Sequence, residues 1–200
     1  MMTPKAMEQK IVSDYDFPAI SANGGGVRLL IEGMGRSGGF SAPKFATAAH
    51  MLETMFKPGQ GKVRWLSFPA CLMATGTRGF FVELIKRKMV DVIVTTCGTI
   101  DHDIARSLGE YRSGNFEMDD IEVHENGFSR LGNVLVPIDT YGPAIESFLT
   151  PLIRNTMKEL DEKERTIAPV DLIWKIGSTL DHDHSLCTWA YRQNIPIIVP

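Results

Sequence analysis

The hydrophobic period of the chain changes near residue 60. Before it, Phe45, Ala48, Ala49, Leu52 and Phe56 recur at helical spacing, with Ser41 at the cap position and Pro43 in the first turn. This predicts a helix through residue 56. Shorter helices are predicted over 4–12 and 27–34, set apart by glycine breaks at Ala22-Asn23-Gly24-Gly25-Gly26 and Gly35-Arg36-Ser37-Gly38-Gly39. Lys57-Pro58-Gly59-Gln60-Gly61 closes this part. The reading is an N-terminal helical segment over 1–60 and an α/β domain over 61–200.

Beyond residue 61 strands and helices alternate. Val63–Phe68 reads as a strand. Thr77–Met89 reads as a helix, with Glu83 and Arg87 placed for an i,i+4 pair. Val90-Asp91-Val92-Ile93-Val94-Thr95 is β-branched and mostly apolar, as a buried parallel strand should be. A helix follows from Asp101 to Leu108. This order builds a right-handed strand–helix–strand unit, hence an α/β fold with a mostly parallel sheet flanked by helices. Residues 109–132 are polar and contain glycine, and read as a long excursion or a short hairpin. A strand is predicted at Asn133–Val136. Pro143 opens a helix and Pro151 interrupts it, so two helices are expected to meet near Thr150. Val170, Ile173, Trp174 and Gly177 mark a helix after Pro169. Leu186, Trp189 and Ala190 mark another, stopped at Asn194. Ile195–Val199 is a short buried strand one residue before Pro200. A doubly wound sheet normally continues from such a strand, so the domain is expected to be C-terminally incomplete.

Composition narrows the class. With 44% hydrophobic and 22% charged residues, the chain can bury a useful core. A net charge of -3 argues against a general nucleic-acid binder and gives no support for binding to anionic membranes. No apolar run approaches the roughly 18 residues of a membrane span, and Met1–Lys10 has no apolar signal-like core. Cys71, Cys97 and Cys187 are odd in number, far apart and without a C-x-x-C, which fits reduced thiols in the cytoplasm and no zinc knuckle.

Three stretches carry candidate chemistry. After the first strand comes Phe68-Pro69-Ala70-Cys71-Leu72-Met73-Ala74-Thr75-Gly76-Thr77-Arg78-Gly79. Its small residues let a ligand approach the backbone, and the next helix offers N–H groups to phosphate. A tight turn with no ligand explains it equally well, and it is not a G-x-G-x-x-G fingerprint. After the second strand comes Thr95-Thr96-Cys97-Gly98-Thr99-Ile100-Asp101-His102-Asp103, at the edge where open α/β sheets bind ligands. Asp101 as a helix cap, His102 as a loop histidine and Asp103 paired with Arg106 are the plain alternatives. Cys97 as a nucleophile lacks any supporting motif; a small strand-end residue is the simpler reading. The third stretch, Asp181-His182-Asp183-His184, has metal-ligand residue types, yet it precedes a helix for which Asp183 is a good N-cap.

Taken in order, these residues resemble deoxyhypusine synthase in its archaeal form. The carriers are Ala74-Thr75-Gly76-x-Arg78-Gly79, Met89 to Gly98, and Asp101-His102-Asp103-Ile104. They continue with His124-x-Asn126-Gly127-x-x-Arg130-Leu131-Gly132-Asn133-Val134-Leu135-Val136-Pro137 and Trp189-Ala190-x-x-x-Asn194-Ile195-Pro196-Ile197. Asp14-Tyr15-Asp16-Phe17 and the Gly38-Gly39-Phe40 turn are also similar. The resemblance runs from about residue 13 to 200; each motif is modest, and the ordered set is specific.

The resemblance implies a Rossmann-like fold and an NAD-dependent transferase. Such an enzyme oxidises spermidine, holds its aminobutyl group on an enzyme lysine, and passes it to a lysine of the hypusine-containing translation factor. It implies a cytoplasmic homotetramer with sites built across dimer interfaces. By position, NAD contacts fall on Ala70, Cys71, Leu72, Met73 and Ala74 and on Thr96, Cys97 and Gly98. The acidic pair that meets polyamine and cofactor falls on Asp101 and His102. Cys71, Pro69 and Ala70 depart from a more polar eukaryotic turn, and His102 departs from the eukaryotic acid. The family's Thr-Asp-Gly motif and lysine-bearing loop would follow Pro200, so no lysine here, Lys86, Lys88 and Lys175 included, matches the catalytic one. A non-catalytic partner of a full-length synthase and a homospermidine synthase-like transferase would share these motifs. The geometric expectation is that two neighbouring strand tips, near Ala74 and Gly98, open onto one dinucleotide crevice.

Overall fold

The structure is a computed structural model and describes residues 26–57, 61–160 and 166–200. The chain separates into two compact units, Met1–Lys62 and Val63–Pro200. The helix predicted over 4–12 lies outside the described residues.

In the first unit, α1 (Gly26–Ser37) and α2 (Ala42–Phe56) pack together. The predicted break at 35–39 is narrower than its glycines suggest, because α1 continues through Ser37. Gly35 serves close packing instead: a Cβ there would stand 3.3 Å from the Cβ of Ala46, which is buried. Ser41 does occupy the N-cap of α2, with Pro43 in the first turn, although its side chain makes no capping bond.

The second unit is built on a three-stranded parallel sheet, β1 (Trp65–Ser67), β2 (Val92–Val94) and β6 (Ile197–Ile198), in the order β1-β2-β6. Trp65 pairs with Val92, and Val94 with both Ser67 and Ile198. β1 leads through a 3-10 helix (Ala70–Ala74) into α3 (Thr77–Lys86). β2 leads into α4 (Gly98–Leu108), which starts earlier than Asp101. The amino edge of the sheet is clamped by Arg64, whose Nη2 and Nε donate to Asp91 at 2.8 and 2.9 Å. The core lies between sheet and helices. Ile85, Ile93, Ile104, Leu186 and Ile197 are fully buried, and the Phe68 and Phe81 rings stack at 3.9 Å. Each such side chain contributes about 1.5–3 kcal/mol on burial.

Residues 109–137 contain more than the long excursion or short hairpin read over 109–132, and the strand read over 133–136 is present. They hold β3 (Arg112–Ser113), α5 (Asp120–Glu125), β4 (Phe128–Leu131) and β5 (Val134–Pro137), with an antiparallel order β3-β5-β4. Asp119 caps α5 by accepting from the backbone of Ile121 and Glu122. The helix break expected near Thr150 does not occur. α6 runs unbroken from Ile138 to Glu159 with both prolines inside. Leu152 is in the core and Ile145, Phe148 and Leu149 pack against it on both sides of Pro151. Burial of that face outweighs the hydrogen bond that proline removes.

Two helices complete the unit, α7 (Pro169–Leu180) and α8 (Leu186–Gln193). They cross at Gly177, where any Cβ would collide with the Cys187 carbonyl. Asn194 ends α8 in the left-handed conformation, φ 55°, as its sequence position predicts. The predicted Glu83–Arg87 pair is present at 3.2 Å. None of the described helices is long and apolar enough to cross a membrane.

Candidate functional site

The carboxyl ends of β1 and β2 lie side by side. Phe68 N donates to Val94 O at 3.3 Å, and Thr95 Oγ1 donates to Phe68 O at 2.7 Å. Thr95 also shares a 2.6 Å hydrogen bond with Thr99 in the first turn of α4. The two following turns therefore meet. A Cβ on Gly98 would stand 2.9 Å from the Cβ of Ala70, so glycine is what lets α4 start against the 3-10 helix.

Within the first predicted segment the residues divide. Cys71 is exposed and Ala70 and Leu72 are half-buried, whereas Met73 and Ala74 are core residues. The Met73 and Thr75 carbonyls accept Arg106 Nη1 at 2.8 and 2.5 Å. The residue that meets Gly98 is thus Ala70 rather than Ala74. In the second segment Thr96 and Cys97 are exposed beside Gly98. The N–H groups at the start of α3, read from sequence as free for phosphate, are satisfied locally. Thr77 N reaches Thr75 Oγ1, Arg78 N reaches Thr75 O, and Gly79 N reaches Gly76 O.

Asp101 and His102 sit one turn along α4, against two tyrosines that sequence reasoning missed. Tyr141 donates its hydroxyl to Asp101 Oδ2 at 3.4 Å, and its ring lies 5.2 Å from that of His102. Tyr111 OH stands 2.8 Å from His102 Nδ1, and the Arg106 guanidinium lies 5.7 Å from the Tyr111 ring centre. Desolvation raises the Asp101 carboxyl above the usual range, against the lowering effect of the Tyr141 bond. Desolvation lowers His102, with Arg106 acting in the same direction and Asp101 opposing. Both tyrosines are raised, chiefly by burial. His102 is a buried helix residue rather than a loop histidine, and Asp101 faces Tyr141 instead of capping the helix.

Asp103 belongs to a different network. Its fully buried carboxylate accepts from Arg78 Nε at 3.0 Å, Ser185 Oγ at 2.7 Å, Leu186 N at 3.0 Å and Cys187 N at 2.9 Å. The expected Asp103–Arg106 pair is replaced by Asp103–Arg78, because Arg106 turns to the 3-10 helix carbonyls. Asp103 thereby caps α8 from another element, and Ser185, not Asp183, is the N-cap residue. Asp181 and Asp183 instead pair with Arg192 at 2.7 and 3.1 Å. Among the described residues no group of three or more His, Cys, Asp or Glu side chains is arranged for a metal. A cleft of about 580 Å³ lies at the far end of α4, lined by Gly76, Arg78, Arg106, Leu108, His182 and His184. Its lining includes none of Ala70, Cys71, Thr96, Cys97 and Gly98.

The fold is α/β, and this edge is the carboxyl end of its parallel sheet, the side on which open α/β sheets as a class take ligands. The comparisons go further: the family model for deoxyhypusine synthase matches residues 29–200. A "Probable deoxyhypusine synthase" of Picrophilus torridus is 41% identical over 171 residues, covering 86% of this chain and 53% of the relative. One of Thermoplasma acidophilum is also 41% identical over 171 residues, with the same coverage. One of Ignicoccus hospitalis is 39% identical over 172 residues, covering 86% and 51%. A crystal structure assigned as a deoxyhypusine synthase of Entamoeba histolytica shares the fold with a TM-score of 0.63 at 22% identity, covering 94% of this chain and 64% of that one. The chain belongs to the deoxyhypusine synthase family. It spans about half the length of the curated relatives it matches.

Proposed function

We propose that this chain supplies the NAD-contacting and polyamine-contacting part of a deoxyhypusine synthase, a transferase that moves the aminobutyl group of spermidine to a lysine of the hypusine-containing translation factor. Family membership supports the reading, and the observation that carries it is the meeting of Ala70 and Gly98 at the strand tips. The residues fit a dinucleotide: a small-residue seam is flanked by the exposed Cys71, Thr96 and Cys97 at the ligand-binding edge of a parallel sheet. Bound there, NAD would accept and return a hydride.

In this reading Ala70, Cys71 and Leu72 line one side of the cofactor, and Thr96, Cys97 and Gly98 the other. Met73 and Ala74 support the first turn from the core. Asp101 pairs with a spermidine ammonium, whose charge would offset the desolvation of its carboxylate, and His102 stands at the junction of polyamine and cofactor. Residues 61–200 are the NAD-binding domain, the lysine that carries the aminobutyl group belongs to the half of the family protein that this chain does not span, and the assembly is a cytoplasmic homotetramer.

Calorimetric titration of NAD into the purified chain tests this. Saturable binding is expected, with at least a tenfold loss in Gly98→Val. A folded chain that does not take up NAD contradicts the reading. Transferase turnover is not expected from the chain alone. Activity that appears only on mixing with a full-length relative would identify a regulatory subunit, and putrescine acting as acceptor would identify a homospermidine synthase-like enzyme.

A further inference from the structure

The contact between His102 Nδ1 and Tyr111 OH, 2.8 Å long, allows two proton arrangements. In one, the phenol donates to an unprotonated Nδ1 and the ring proton sits on Nε2. In the other, Nδ1 donates to the phenol oxygen and Nε2 is bare. Tyr111 OH has no other hydrogen-bond partner among the described residues, so a hydroxyl proton turned away from His102 would be left without an acceptor in a half-buried place. Burial also keeps the phenol protonated. The guanidinium of Arg106 over the Tyr111 ring draws electron density from it and strengthens its O–H as a donor. These features favour the first arrangement.

The other ring nitrogen makes no such contact. His102 Nε2 has no hydrogen-bond partner among the described residues, although the residue is only 9% exposed. No fully buried side-chain nitrogen or oxygen among them lacks a partner, so Nε2 reaches open space. The other groups facing His102 are Asp101, Arg106 and the Tyr141 ring. We propose that Tyr111 is a positioning residue that holds His102 as the neutral Nε2–H tautomer, so that this part of the site offers one anion, Asp101, beside one fixed hydrogen-bond donor. An ammonium group then has a single place to go, and His102 takes an acceptor atom of the ligand rather than a second ammonium. The identity of the ligand rests on the function proposed above; the tautomer does not.

Long-range proton–nitrogen spectra of the 15N-labelled chain at neutral pH test the proposal, with the His102 signals assigned through His102→Gln. The expected pattern is an unprotonated Nδ1 and a protonated Nε2. Tyr111→Phe should give a mixture of tautomers and let His102 take a second proton at higher pH. Tyr141→Phe, which removes a neighbour that does not bond the imidazole, should keep the wild-type pattern. A protonated Nδ1 in the wild type, or an unchanged pattern in a folded Tyr111→Phe, overturns the proposal; if Tyr111→Phe does not fold, the wild-type spectrum decides alone. With spermidine as the probe, His102→Glu adds a second anion and should tighten binding about tenfold; unchanged affinity counts against the one-anion site. Failure of both proteins to bind spermidine, with the expected tautomer in the spectra, would count against the function and leave the tautomer standing.

Discussion

Asp103 and Asp101 project from the same helix into different surroundings. Asp103 is fully buried and spends its carboxylate on Arg78, Ser185 and the first N–H groups of α8. Asp101 is half-buried, has one long bond from Tyr141, and is held above its usual range chiefly by desolvation. A carboxylate whose bonding capacity is filled holds the fold; one held above its usual range with capacity to spare is available to a ligand. Two neighbouring acidic residues in the sequence thus separate into a structural joint and a candidate site.

Breaking the joint should have the largest effect. Asp103→Ala leaves the buried Arg78 guanidinium uncompensated and uncaps α8, at a cost of about 3–5 kcal/mol in chemical denaturation. Gly177→Ala tests the same helix junction by forcing α7 from α8, and should cost about 3 kcal/mol. A loss under about 1 kcal/mol for either would show that the junction relaxes more readily than its burial implies.

At the site the sign reverses. Asp101 has a raised folded-state pKa, so its contribution to stability is complete below the ordinary carboxylate value and is lost as pH rises through the raised one. Asp101→Asn should therefore stabilise the chain at neutral pH, with the gain vanishing in acid, while spermidine affinity falls at least tenfold. His102 has a lowered folded-state pKa. Its contribution is complete above the ordinary imidazole value and is lost as pH falls through the lowered one. His102→Gln should flatten that acid-side loss in thermal melts recorded across pH. The smallest effect is expected at the exposed Glu83–Arg87 pair, where Glu83→Gln should leave the denaturation midpoint unchanged within error.

Local signals carried much of this organisation. The β-branched run at 90–95 marks β2, and Asn194 marks the end of α8 because a left-handed stop is a local property. Proline at 151 misleads, since the force that keeps α6 continuous comes from Phe148, Leu149 and Leu152 packing on distant residues. β3 and β4 were hidden because each pairs with β5 through contacts that polar 109–132 does not announce. At the site, Thr96 to Gly98 and Asp101-His102 were visible as a motif behind a strong strand. Tyr111 and Tyr141 were not, because they reach the α4 acid and imidazole from the chain after α4 and from the start of α6. The partners of Asp103 were equally invisible, as Ser185 comes to it from more than eighty residues along the chain.

The proposed place for NAD is against the two meeting turns. Backbone amide shifts of the labelled chain, followed as NAD is added, test it most directly. Saturable changes concentrated at Ala70–Leu72 and Thr96–Gly98 are expected. Changes confined to the cleft around Gly76 and His182, or none at all in a folded chain, would contradict it.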